Sequence, residues 1–182
     1  MNTFFTSDQH FFHKNVIKHC NRTFESLEEM HEKLIKLFNQ KVSPGDITYH
    51  LGDFSFSNEK QSLEILEELN GKHYLMKGNH DGWLKNSIKH TKILAIKDYI
   101  EIKHDNQHIV MSHYPFLTWN RSHHGSICLH GHCHGNLNSQ NVGVKRLDIG
   151  VDSAKMILGD YVPFSITEVK ELLIEGNNTN HH

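Results

Sequence analysis

The 182-residue chain holds only three prolines, three cysteines and two tryptophans, and its formal net charge is just -2. Cys20, Cys128 and Cys133 are an odd set with no Cys-x-x-Cys pair. That argues against a disulfide framework and fits a reducing, cytoplasmic setting. No apolar run approaches the length a bilayer demands, and Asp8 interrupts the first hydrophobic stretch before a secretory leader could form. Neither a signal peptide nor a transmembrane span nor a membrane partner is expected. Acidic and basic residues are nearly balanced at 21 and 19, so no basic stripe is available to track a long nucleic acid. Internal repeats, low-complexity linkers and composition breaks are missing too. Residues 1–176 therefore read as a single domain, and 177–182 as a disordered tail.

What the chain has in excess is histidine, with 18 residues. His181 and His182 are set aside as a tail, and His31, His73 and His90 read as residues of solvated faces. The densest group is Leu129-His130-Gly131-His132-Cys133-His134-Gly135, which follows the apolar run Ser126-Ile127-Cys128-Leu129. His132 and His134 are two apart, so on an extended segment they leave the chain on the same side. They could share one metal or serve two neighbouring metals. A lone His-x-His decides little, but Asp8-Gln9-His10, Gly52-Asp53, Gly78-Asn79-His80-Asp81 and Ser112-His113 stand earlier in the chain, each after an apolar run.

Those runs read as strands. Asn2–Thr6 comes first, followed by a short helix near Asn15–His19. Ser26-Leu27-Glu28-Glu29 reads as a capping box opening a helix whose Leu27, Met30, Leu34, Leu37 and Phe38 recur at three- and four-residue steps. A strand over Ile47–Leu51, a helix over Glu59–Leu69 and a strand over His73–Met76 continue a β-α-β-α-β order that favours parallel pairing. Lys92–Lys103 and His108–Met111 then read as two arms of a hairpin. Val144–Ile149 is a further strand, and Ser165-Ile166-Thr167-Glu168 caps a last helix ending near Gly176.

Five polar motifs thus fall at strand ends, the edge where sites form in α/β sheets. Taken singly, Asp8, Asp53, Asn79 or Asp81 reads better as a turn residue, and His113 as a structural histidine. Pooled, the motifs offer Asp8, Asp53, Asp81, Asn79, His10, His80, His113, His132 and His134. That is too many for one tetrahedral ion and about right for two. Mixed imidazole and carboxylate donors suit Mn, Fe, Zn or Co better than Mg or Ca. Two such ions roughly 3.5–4 Å apart can clamp a phosphoryl group for in-line attack.

In this order the motifs resemble those of the calcineurin-like metallophosphoesterases, and the opening Phe5-Thr6-Ser7-Asp8-Gln9-His10-Phe11-Phe12-His13-Lys14-Asn15 is similar to that of small bacterial and bacteriophage members. The resemblance spans residues 8 to 134. It implies an α/β fold of two mixed β-sheets packed as a sandwich with flanking helices, in αββα layers. It also implies a centre of two divalent transition-metal ions, with Mn favoured over Fe, Zn, Co or Ni. Asp8, His10 and His134 would bind the first ion, Asn79, His113 and His132 the second, and Asp53 would bridge them. His80 would act on the substrate as general acid or phosphoryl donor, with Asp81 orienting it.

The function so implied is a phosphohydrolase in which a metal-bridging hydroxide attacks phosphorus in line. A small soluble phosphodiester, such as a nucleotide derivative, is the favoured substrate because no basic face would hold a polymer. Phosphomonoester hydrolysis is the nearest alternative, then a nuclease, then a protein-binding scaffold that keeps the fold without the chemistry. Arg22, His13 and Asn15 are further candidates to contact substrate. Two positions depart from the family pattern: Cys133 stands between the last two histidines where Thr or Ser is usual, and Asp148 stands where Asn is expected.

Overall fold

Thr3–Thr6 (β1) runs through a sheet in which every neighbour but one is parallel. The structure, a computed structural model, describes residues 1–141 and 143–175, so the tail expected over 177–182 lies outside the described residues. Beside β1 lies Ile47–His50 (β2), then Lys72–Met76 (β3), then Ile93–Lys97 (β4), all parallel. The short Phe164–Ser165 (β9) closes the other edge antiparallel to β1. A second sheet has the order Tyr99–His104 (β5), Gln107–Ser112 (β6), Ile127–His130 (β7) and Arg146–Asp148 (β8). There β5 and β6 form the antiparallel pair, and β6, β7 and β8 are parallel. The sandwich of two mixed sheets is therefore the architecture the motifs implied.

Side-chain alternation along β1 sorts the core. Phe4 packs with Met30, Leu34 and Phe38 of Leu27–Lys41 (α2) and with Leu66 of Glu59–Glu68 (α3), on the outer face of the first sheet. Phe5 points the other way and meets Met111, Ile127 and Leu129 of the second sheet. Successive residues of a strand face opposite sides, so two adjacent phenylalanines fasten two layers. Between the sheets the core is completed by Ala154 of Val151–Leu158 (α4) and by Ile166 and Val169 of Ile166–Lys170 (α5).

Three local expectations change. The run Lys92–Lys103 is not one hairpin arm. It breaks at Asp98 into β4, which extends the first sheet, and β5, which pairs with β6 in the second. The edge of β3 offers β4 its own row of hydrogen-bonding groups, so the chain crosses from sheet to sheet. Ser26 does cap α2, accepting from Glu29 N at 3.1 Å, but Glu29 returns its carboxylate to Glu25 N rather than to the cap residue. The full reciprocal box forms at Ser165 and Glu168. His73 is not solvated but fully buried. It faces Phe38 and joins a chain in which Gln9 Nε2 meets His50 Nδ1 and His50 Nε2 meets His73 Nδ1, each at 3.1 Å.

Candidate metal centre

The loops that leave β1, β2 and β3 at their C-terminal ends meet the loops that leave β6 and β7, so each sheet supplies part of one cluster. The backbone there is tightly bent. Asp8, His10, Asp53, His132 and His134 all take positive φ, between 49° and 68°. Such conformations are uncommon for residues other than glycine and concentrate where a side chain must be aimed. Two glycines make the close approach possible. A Cβ on Gly78 would stand 2.1 Å from Asp53 Oδ1, and one on Gly131 would stand 2.0 Å from Ser7 Oγ and 2.6 Å from Asp8 Oδ2.

The cluster resolves into two overlapping halves. Donor atoms of Asp8, His10 and His134 lie within 4.8 Å of one another, and so do those of Asp53, His113 and His132. Asp53 joins the halves: its Oδ2 stands 3.6 Å from His10 Nε2 and 3.5 Å from His113 Nε2. Asn79 reaches the second half through Oδ1, 3.1 Å from His113 Nε2. His113 is held from behind by Leu51 O, 2.8 Å from Nδ1, and His134 by Asp152 Oδ2, 2.6 Å from Nδ1. Asp8 accepts the backbone N–H of His132 at 3.0 Å. All seven residues assigned to metal by the sequence are thus brought together.

The donor set fits a cation. His10 is buried with both ring nitrogens lacking a hydrogen-bond partner, an arrangement that is costly unless something else satisfies them. Burial drives the His10 pKa down to about 2 against the pull of Asp53, so the ring is neutral and its lone pair is free. Burial also pushes Asp8 up to about 7, with Asp148 adding to the rise and His134 opposing it. For Asp53 burial acts upward as well, but His113, the His80 N–H and His10 outweigh it and hold the carboxyl at about 2. For His134 burial acts downward, yet Asp152, Cys20 and Asp8 prevail and lift it to about 11. The pocket favours positive charge: against its burial, Asp53 and Asp8 hold His113, like His134, above the ordinary imidazole value, and a divalent cation would answer the same carboxylates.

The remaining candidates separate. The His80 ring lies 5.2 Å from His10 and 5.5 Å from His13, and its backbone N–H donates to Asp53 Oδ1 at 2.8 Å. Together with Asp53 and His10 it forms a third group of close donor atoms. Asp81 does not orient His80. Its carboxylate accepts from Phe54 N, Ser55 N, Gly78 N and Trp83 Nε1 at 3.0–3.2 Å, so it organises the loops around Asp53 instead. Arg22 is not placed to hold a substrate phosphate either. Its side chain is wholly buried and forks onto Asp152, with Nε and Nη2 each 2.8 Å from a carboxylate oxygen. Asn15 sits exposed on the helix Lys14–His19 (α1), lining a surface groove with Lys14, Lys18 and Glu25 rather than the cluster. His13 does border the site, its ring 5.3 Å from His10.

Several residues at the centre carried no signal in the sequence. Cys20 Sγ lies 3.3 Å from His134 Nδ1, and it is Cys20, not Cys133, that joins His134 and Asp152 in a group of close donor atoms. Asp152 is recognisable only once the fold brings α4 to the site. Phe56 and Tyr114, each about half exposed at 52% and 50%, stand at the rim. Phe56 packs against His13 and His80, and Tyr114 against His113 and His132. Asp148 is buried and accepts from Gly135 N and Gly150 N, a turn-holding use that touches no metal assignment.

Among the described residues no helix is long and apolar enough to cross a membrane. No protein-family model matches the chain. An uncharacterised protein of Methanocaldococcus jannaschii, MJ1445, is 35% identical over 174 residues, covering 93% of this chain and 90% of that one. The gene 66 protein of Mycobacterium phage L5 is 25% identical over 84% of this chain and 87% of its own. Among solved structures, the protein of unknown function AQ665 from Aquifex aeolicus superposes with a TM-score of 0.70 at 26% identity, over 94% of this chain and 98% of that one. A relative this similar along nearly its whole length places the chain in one family with the M. jannaschii protein, and in this chain the five motifs close on one pocket of a two-sheet sandwich.

Proposed function

We propose that the chain is a dinuclear-metal phosphohydrolase acting on a small, soluble phosphodiester. The observation that carries the reading is His10: a buried imidazole with two unpartnered nitrogens, set between Asp8 and Asp53. A metal ligand explains that arrangement, and a structural histidine does not.

Asp8, His10 and His134 would hold one divalent transition-metal ion, with Mn favoured, and Asn79, His113 and His132 a second, with Asp53 serving both. Such ions supply Lewis acidity toward phosphoryl oxygens and activate water. His10 presents a neutral ring, since burial holds its proton affinity down. His113 is fixed in ring orientation by Leu51 O. His80 faces the same space from the far side of His10 and is held by its main chain to Asp53. From there its ring can donate to the phosphoryl oxygens or pass a proton to the leaving oxygen. The half-exposed rings of Phe56 and Tyr114 offer flat apolar faces on either side, which suits a nucleotide derivative.

The test is hydrolysis of a nitrophenyl phosphodiester and of the matching monoester by metal-stripped protein, with Mn, Fe, Zn, Co, Ni or Mg added back. Activity that returns with a transition metal and is higher on the diester supports the reading. Two ions bound per chain with no turnover on either ester would overturn it in favour of a scaffold.

A further inference from the structure

Behind His134 lies a buried ion pair that the proposed chemistry does not use. We infer that Asp152, clamped by Arg22, is a positioning residue that sets the tautomer and orientation of His134 toward the first ion; the inference rests on reading His134 as a ligand of that ion.

Hydrogen bonds link His134, Asp152 and Arg22 in series. His134 Nδ1 donates to Asp152 Oδ2 at 2.6 Å, which turns Nε2 toward Asp8, 4.0 Å from Oδ1, so that a cation displacing the second ring proton would meet the Nε2 lone pair. Arg22 fixes Asp152 in turn, giving Nε to Oδ1 and Nη2 to Oδ2, both at 2.8 Å, across 130 residues of sequence. The same guanidinium donates Nη2 to Asp8 O at 2.6 Å and Nη1 to Gln9 O at 2.8 Å. One planar fork therefore ties the segment bearing Asp8 and His10 to the carboxylate that holds His134. Cys20 Sγ, 3.3 Å from His134 Nδ1, closes the remaining side of that nitrogen. Across the centre Leu51 O does for His113 what Asp152 does for His134, but a carboxylate adds charge and makes the ring a better donor to a cation.

Charge points the same way. Asp152 neutralises Arg22, whose guanidinium lies against the main chain of Asp8. Without that carboxylate an uncompensated positive charge would stand beside the first ion. A buried pair of this kind contributes little net stability over apolar packing, so its placement against a proposed ligand is better explained by positioning.

The experiment is a titration of the metal-stripped full chain with Mn(II), with free Mn(II) read by electron paramagnetic resonance. The unaltered chain is expected to take up two ions. Asp152→Asn is expected to weaken one of them by about 10–100-fold, the usual scale for losing an outer partner of a metal-bound histidine, and to leave the other unchanged. The unchanged ion reports that the fold is intact. Should Asp152→Asn not fold, the double variant Arg22→Gln/Asp152→Asn removes charge from both partners, and the same selective loss is expected. Two ions of unaltered affinity in either variant overturn the inference alone. So does equal weakening of both ions with a lowered melting temperature, the mark of a merely structural clamp. No Mn(II) uptake by the unaltered chain overturns the metal-centre reading, and the inference with it.

Discussion

Asp53 Oδ1 accepts the backbone N–H of His80 at 2.8 Å, which leaves Oδ2 to His10 and His113. One carboxylate therefore fixes the segment that carries the proposed proton donor while joining both halves of the centre. The two side chains should fail differently. Asp53→Asn is expected to abolish metal uptake and ester hydrolysis together. His80→Asn is expected to keep both ions and lose on the order of 10²-fold or more in kcat, the scale for a positioned acid or donor. Metal analysis beside steady-state kinetics checks both, and loss of an ion in His80→Asn would instead make His80 a ligand, as its closeness to His10 and Asp53 allows.

Gly78→Ala should damage the centre without removing any donor atom. The new methyl would fall 2.1 Å from Asp53 Oδ1, and relieving such overpacking costs about 1–3 kcal/mol. The same methyl would fall 2.4 Å from Asp53 N and 2.7 Å from Asp53 Cγ, so the whole residue is pressed, and the expected result is at least tenfold weaker Mn(II) binding with the far-ultraviolet circular dichroism spectrum retained. Unchanged affinity would mean that the backbone yields instead.

Asp81→Ala should act on stability, not on the pH profile of catalysis. It strands the Phe54, Ser55 and Gly78 N–H groups and Trp83 Nε1, and a single buried unsatisfied group already costs about 1–3 kcal/mol. Urea unfolding is expected to show a loss of at least that size. A shifted acid limb in the pH–rate profile with unaltered stability would restore the orienting role that the sequence motif implied.

Asp8 also predicts how metal and pH act together. Burial raises its pKa in the folded chain from 3.8 to about 7. Its contribution to stability is therefore present in full below pH 3.8 and is lost as pH rises through about 7. A divalent ion binds the ionised form and reverses that loss. The difference in melting temperature between Mn(II)-loaded and chelated protein should widen from pH 5 to pH 8. A constant difference across that range would show that Asp8 is not ionised by the metal.

The gathering of the candidate residues was legible because each sits in a short motif at the end of an apolar run, and their assignment to two ions is what the family resemblance implies. Arg22 and Asp152 were not legible as partners, since nothing local links residues 130 apart. Arg22 reads as a candidate to contact substrate because sequence does not show that its charge is already answered. Asp81 was misassigned for a related reason: a carboxylate next to His80 in sequence is as well suited to backbone N–H groups as to the imidazole. The break at Asp98 was hidden because Lys92–Lys103 contains no proline or glycine to mark it.

Each half of the centre draws from both sheets: Asp8 and His10 with His134, Asp53 and Asn79 with His113 and His132. Two bound ions would therefore act as stitches across the seam of the sandwich. The sheets could not slide or part without first tearing out a ligand, so a cell that withheld the metal would leave the protein inactive and also easier to prise open.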